Sequence, residues 1–130
     1  MKLNKKNIIG NIIFLIGLPG SGKTTIAKKI KSTLILNDIS CLHLDGDELR
    51  EALNNNKYSI KERIKLSLTY LRLAEMLLKQ TNVVLISSVS MYSKVEKIFT
   101  KKPNIKTYLI EKNFKDKDKI KKKNKNEIYE

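Results

Sequence analysis

Two short stretches of this chain carry residue types at spacings that could do chemistry. The first is Gly17-Leu18-Pro19-Gly20-Ser21-Gly22-Lys23-Thr24, followed by Thr25. It fits the pattern G-x-x-x-x-G-K-[ST], a cradle for phosphate. Glycines let the backbone wrap closely enough for several N–H groups to point at one anion. A helix opening straight after the loop adds its own first N–H groups and its positive dipole end. Lys23 has the reach to meet the β- and γ-phosphates of ATP, and the Thr24 hydroxyl suits a Mg²⁺ ligand. The second stretch is Leu44-Asp45-Gly46-Asp47-Glu48-Leu49-Arg50. A carboxylate there could accept a proton from an attacking hydroxyl or sit in a Mg²⁺ shell. Arg50, one turn down a following helix, could grip an acceptor's phosphate or sulfate. Taken alone, this second pattern reads equally well as a polar strand end followed by a helix cap.

Both stretches need elements to hold them. Residues 11–16 form a continuous apolar, β-branched run, as expected of a strand buried on both faces. After the loop, Ile26, Ile30 and Leu34 recur at helical spacing with Lys28, Lys29 and Lys31 between them. Strand, loop and helix in that order separate a P-loop from a glycine-rich turn that matches by chance. Asn37-Asp38 ends the helix, with Asn37 suited to a left-handed cap. Cys41 to Asp45 reads as a second strand, broken by Gly46, and Asp47 can cap a short helix to about Leu53. Asp45 and Asp47 therefore stand at the carboxyl end of a strand, facing the ligand crevice. Ser59-Ile60-Lys61-Glu62 is a capping box. It opens a helix whose stripe of Ile64, Leu68, Leu71 and Leu78 runs to about Gln80. Residues 82–87 read as a third strand, 94–100 as a helix, Pro103-Asn104 as a turn and 105–110 as a fourth strand. The lysine-rich remainder reads as helical from about Asp116. Alternating strands and helices predict an α/β fold, a parallel sheet flanked by helices. No repeat or linker divides the chain, so residues 1–130 read as one domain.

The 130 residues suffice for one domain with a real core, and no apolar run is long enough to span a bilayer. The basic start and the apolar run after it resemble a leader sequence. That run leads straight into the phosphate loop, so cleavage would destroy the site; a cytoplasmic protein is expected. Cys41 is the sole cysteine, which excludes an internal disulfide and suits a reducing compartment. The net charge is +14. A coding bias towards Lys, Asn and Ile, plus anionic small substrates, explains it without a nucleic-acid partner. The lysines between Lys112 and Lys125 lack interleaved aromatics for base stacking, since Phe114 and Tyr129 stand far apart. Asn124-Lys125-Asn126-Glu127 resembles a guanine-reading motif but ends in Glu and has no D-x-x-G partner. His43, the single histidine, reads as a hydrogen-bonded strand residue rather than a metal ligand.

Taken together, these pieces resemble the adenylyl-sulfate kinase family of P-loop kinases. GLPGSGKTT at 17–25 and LDGDELR at 44–50 carry the resemblance, with YSIKERIKLSLTYLRLAEMLLKQ at 58–80 and VSMY at 89–92. Residues 123–129 look like an eroded form of the family's R-D-x-K-G-L-Y segment. The resemblance implies a fold of nucleoside-monophosphate-kinase type. It also implies transfer of the ATP γ-phosphate, with Mg²⁺, to the 3′-hydroxyl of adenylyl sulfate. By resemblance, Asp45 is the catalytic carboxylate near the acceptor and Mg²⁺, Arg50 and Arg63 hold the acceptor's anionic groups, and Asp47 supports their pocket. Without the family match, Arg63 would read as a solvated charge at a helix start. Ser90 falls where the family is often assigned a phosphoserine intermediate, although direct in-line transfer needs none. A small-molecule nucleotide acceptor and a possible homodimer are the expected partners. Three departures bear on the acceptor. Leu66 stands where the family commonly has an Asn that helps bind the acceptor's adenosine part, DGDE replaces DGDN, and Lys123-Asn124 replaces R-D. Such variants also resemble kinases of other nucleotide-linked anions, such as the cytidine diphosphoramidate kinases of capsule pathways. Family members continue for tens of residues past the position of Tyr129, so a chain ending at Glu130 is expected to lack the closing lid and last strand and to turn over slowly or not at all.

Overall fold

A computed structural model describes residues 5–89 and 92–111 and the backbone of 119–122. The order is α1 (Lys5–Ile8), β1 (Asn11–Ile16), α2 (Lys23–Leu36), β2 (Cys41–Asp45), α3 (Gly46–Ala52) and α4 (Ile60–Leu77). β3 (Val83–Ser88), α5 (Ser93–Phe99), β4 (Ile105–Glu111) and β5 (Lys119–Lys122) follow. The strands form one sheet in the order β2-β3-β1-β4-β5. The first four are mutually parallel, and β5 runs antiparallel to β4. This is the parallel α/β sheet that the alternation of elements predicts.

Strand alternation sends neighbouring side chains to opposite faces, and each face meets its own helices. On one face Ile12, Phe14, Ile16, Val84 and Ile86 pack with Leu66, Tyr70, Leu71 and Ala74 of α4 and with Val95 and Phe99 of α5. The Phe14 and Phe99 rings meet at 5.2 Å and tilt by 59°, a favourable aromatic geometry. On the other face Leu15, Val83, Leu85 and Ile110 pack with Ile26, Ala27 and Leu34 of α2. Burying a large aliphatic side chain fully contributes roughly 1.5–3 kcal/mol. The doubly covered central strands β1 and β3 therefore anchor everything placed at their ends.

Several local expectations change. α3 begins at Gly46, and its cap is Asp45, not Asp47. Asp45 has the extended backbone of a cap (φ −90°, ψ 133°), and its side chain accepts from the Glu48 N–H. Asp47 lies inside the first turn. The left-handed residue after α2 is Asp38 (φ 60°), while Asn37 has φ −100°. α4 ends at Leu77 rather than near Gln80. Residues 119–122 are a strand, not part of a helix. β4 would otherwise present an unpaired row of backbone groups, and antiparallel pairing satisfies them. Residues 119–122 of the lysine-rich stretch thus dock on β4. The expected helix start at Asp116, the 123–129 segment and Ser90 lie outside the described residues.

The Ser59 cap of α4 is as the sequence predicts: its hydroxyl accepts from the Glu62 N–H at 3.3 Å. Ser59→Ala should lower unfolding stability by about 1 kcal/mol, read from the urea midpoint at unchanged m-value. An unchanged midpoint would show that α4 is fixed by packing alone.

Candidate active site

Parallel register brings the carboxyl ends of β1, β3 and β2 side by side. Ile16 pairs with Ser88, and Asp45 pairs with Ser87. The Gly17 N–H donates to the Ser88 carbonyl at 3.1 Å, so the phosphate loop is tied to β3 at its first residue. The loop then turns through Gly20 (φ +81°) and Gly22 (φ +96°), values that side chains with a Cβ rarely adopt. Gly22 caps α2 without any side-chain acceptor. The first-turn N–H groups at Lys23, Thr24 and Thr25 are thus left for another acceptor. The Ser21 hydroxyl is buried in the same loop without a hydrogen-bond partner. Left-handed glycines, an uncapped helix start and an orphaned hydroxyl suit the phosphates of a nucleotide.

Lys23 folds back over its own loop, donating to the carbonyls of Gly17 and Leu18. Burial pulls its ammonium below the ordinary lysine range, opposed by the charge of Asp47 and then of Asp45. The loop lysine and the two acidic residues therefore belong to one electrostatic unit. Asp47 acts on Lys23 more strongly than Asp45 does, a tie to the nucleotide side that its expected role in the acceptor pocket did not include.

A cavity of about 270 Å³ opens beside them. Pro19, Lys23, Asp45, Gly46, Asp47, Arg50, Arg63 and Leu66 line it, with Tyr58, Ser67, Tyr70, Ser87, Ser88, Val89 and Tyr92. Lys23, Asp45, Asp47, Arg50 and Arg63, far apart in sequence, thus share one space. The rest of the loop from Gly17 to Thr25 wraps the start of α2 instead, with Thr24 and Thr25 exposed to solvent. Asp45 and Thr24 supply oxygen donors of the kind Mg²⁺ takes.

Both arginines are held before any ligand arrives. The Arg50 Nη1 donates to Asn55 Oδ1 at 3.2 Å and to the Lys57 carbonyl at 2.9 Å. The Arg63 Nε donates to the Tyr58 carbonyl at 2.8 Å. Their guanidinium carbons sit 4.3 Å and 5.8 Å from the Tyr58 ring centre. Each guanidinium keeps further N–H donors for an anion, because it carries five.

Sequence reasoning missed the roles of Tyr58, Ser67 and Tyr70. A signal for two of them existed: Arg63, Leu66, Ser67 and Tyr70 recur at i, i+3, i+4 and i+7, one face of α4. The Tyr70 hydroxyl donates to the Gly46 carbonyl at 3.1 Å, and desolvation pushes its pKa up to about 12. A Cβ on Gly46 would come within 3.1 Å of the Ser87 carbonyl, so α3 starts hard against β3. His43 is the hydrogen-bonded strand residue expected. Its Nε2 lies 2.8 Å from Ser87 Oγ. Burial holds its pKa below the ordinary value against the pull of Asp45 and Glu48, with Lys31 and Lys28 also lowering it.

Comparison with known proteins fits this geometry. The family model described as adenylylsulphate kinase matches residues 9–129. The chain is 39% identical over 84 residues to a cytidine diphosphoramidate kinase of Campylobacter jejuni, covering 65% of this chain and 49% of that protein. It is 33% identical over 94 residues to an adenylyl-sulfate kinase of Buchnera aphidicola, covering 71% of this chain and 46% of that protein. Among solved structures, a Mycobacterium tuberculosis APS kinase in complex with AMPPNP and APS aligns with a TM-score of 0.68 at 25% identity. That alignment covers 78% of this chain and 62% of the other. The matches to these two curated relatives span less than half of their length. The family match takes in both the phosphate loop and the Asp45–Arg50 stretch that the sheet brings together, and the chain belongs to the adenylylsulphate kinase family.

Proposed function

We propose that this protein is an ATP-dependent kinase that transfers the γ-phosphate to a hydroxyl of a nucleotide-linked anion. The observation that carries this reading is the single cavity in which the loop lysine Lys23, the carboxylate Asp45 and the paired arginines Arg50 and Arg63 meet. Within the family, the leading acceptor is the 3′-hydroxyl of adenylyl sulfate, giving 3′-phosphoadenylyl sulfate for sulfate assimilation. The second reading is cytidine diphosphoramidate. Leu66 favours it: only 6% exposed, it presents an apolar wall to the cavity where an amide would otherwise read a base. The 39% identity to a kinase of that name also supports it.

The chemistry needs little from the protein beyond placement and charge. The loop N–H groups hold the phosphates of ATP at the start of α2. Lys23 leaves the carbonyls of Gly17 and Leu18 and pairs with the phosphate that moves. The Thr24 hydroxyl and the Asp45 carboxylate would hold Mg²⁺, whose charge would neutralise that of the phosphates. Arg50 and Arg63 grip the acceptor's anionic group with the donors that Asn55, Lys57 and Tyr58 leave free. Asp45 orients the acceptor hydroxyl and takes its proton as the new P–O bond forms. A direct transfer of this kind needs no phosphoserine intermediate at Ser90.

A coupled ATP-consumption assay with Mg²⁺ tests the reading across adenylyl sulfate, cytidine diphosphoramidate and nucleoside monophosphates. ADP should form only when one of these acceptors is present. Consumption that ignores the acceptor, or none with any of them, would contradict it. Asp45→Asn should lower kcat by about 10²–10⁴-fold while the KM for ATP barely moves. Asp47→Asn should act mainly on acceptor KM; small and equal effects from both substitutions would leave only a polar strand end. Leu66→Asn should preserve or improve the use of adenylyl sulfate if that is the acceptor. It should impair the use of another nucleotide by placing an amide in an apolar contact. Indifference with every acceptor would place Leu66 outside the working pocket.

A further inference from the structure

Ser87 is a polar side chain on a strand that is apolar from Val83 to Ile86, and it is 1% exposed. Its position follows from register. Asp45 is its Cα partner across β2 and β3, and His43 pairs with Leu85, two residues earlier on the same face. Alternation therefore turns His43, Asp45 and Ser87 to one side of the sheet. Ser87 Oγ donates to Asp45 Oδ1 at 3.0 Å, and His43 Nε2 lies 2.8 Å from the same Oγ. Asp45 Oδ2 accepts the Glu48 N–H at 3.2 Å.

The hydrogen count fixes the direction of this chain. A serine hydroxyl has one hydrogen, and an ionised carboxylate only accepts. With that hydrogen on Asp45, Ser87 Oγ can only accept from His43, so the ring must carry its hydrogen on Nε2. The reverse arrangement would point an Oγ lone pair at a carboxylate oxygen 3.0 Å away. Both Asp45 oxygens are then held, one by Ser87 and one by the Glu48 N–H, and the carboxylate plane is fixed. Each oxygen keeps a further lone pair, and Asp45 lines the cavity.

We infer that Ser87 and His43 are positioning residues for Asp45, a relay from His43 Nε2–H through Ser87 Oγ–H to Asp45 Oδ1 that sets the carboxylate's orientation for the acceptor hydroxyl. The inference rests on the kinase reading of Asp45. Ser87 lines the cavity but is 1% exposed, and both residues act through the carboxylate.

Two measurements test it. Ser87→Ala should lower kcat about tenfold with the KM for ATP within about twofold, and Ser87→Thr should restore most of the loss. In an Asp45→Asn background the same Ser87→Ala change should add nothing, whereas an equal loss in both backgrounds would overturn the relay. His43→Gln, which keeps a donor near the Nε2 position, should stay close to the unmutated rate, and His43→Leu should fall with Ser87→Ala. The second measurement needs no turnover. His43 is the only histidine, so a long-range ¹H–¹⁵N spectrum reports one ring. With the ring neutral, the hydrogen should sit on Nε2, and Asp45→Ala, which frees the Ser87 hydroxyl to donate back, should shift the ring towards the Nδ1–H form. A hydrogen on Nδ1 in the unmutated protein, or no shift in the variant, would overturn the relay. Absence of acceptor-dependent ATP consumption would refute the kinase reading instead, and the spectrum would still decide the relay.

Discussion

Everything in the site depends on the parallel register of β2, β3 and β1. Three strands that run the same way and start level finish within one residue of each other. Ile16 ends beside Ser88, and Asp45 ends beside Ser87. The loop leaves from the first of these ends and the acidic stretch from the other. A slip of one residue in β2 would turn Asp45 to the opposite face and away from Ser87. That slip is opposed by β2's own apolar residues, Cys41 packed in the core of one face and Leu44 against the core of the other. Site geometry is thus set by core packing, several residues away from the chemistry.

The polar groups at the strand ends constrain each other in turn. Asp45 caps α3 while accepting from Ser87, so the start of that helix and the direction of the carboxylate are one decision. Tyr70 reaches from α4 to the Gly46 carbonyl and ties that helix to the same point. The two arginines come from α3 and α4 and converge on Tyr58 in the loop between them. Charge of both signs is gathered here: Lys23 feels Asp47 and Asp45, and Arg50 and Arg63 line the same cavity. Such a space favours ligands with more than one anionic group.

Much of this was legible in the sequence, for identifiable reasons. The phosphate loop is local, so its spacing shows without knowledge of the fold. The capping box at Ser59 and the apolar runs of β1 and β3 are local too. The cap of α3 is Asp45 rather than the expected Asp47, because capping depends on backbone angles that either residue could satisfy in the sequence. Ser87 was invisible, since a serine closing an apolar strand carries no signal until register sets Asp45 beside it. Tyr58 is visible as an aromatic, but its pairing with two arginines depends on how the loop from α3 returns. β5 was hidden by composition: a lysine-rich stretch reads as a charged helix, and only the open edge of β4 makes it a strand.

The central claim is that the loop and the residues facing it form a nucleotide site governed by Lys23. Calorimetric titration of AMPPNP with Mg²⁺ tests it most directly, because binding is read apart from turnover and acceptor identity. One saturable site per chain is expected, weakened about tenfold or more by Lys23→Ala at an unchanged melting temperature, since the lysine's charge-assisted contact is lost while the core is untouched. No saturable heat from the unmutated chain, or equal affinity in the Lys23→Ala variant, would contradict it.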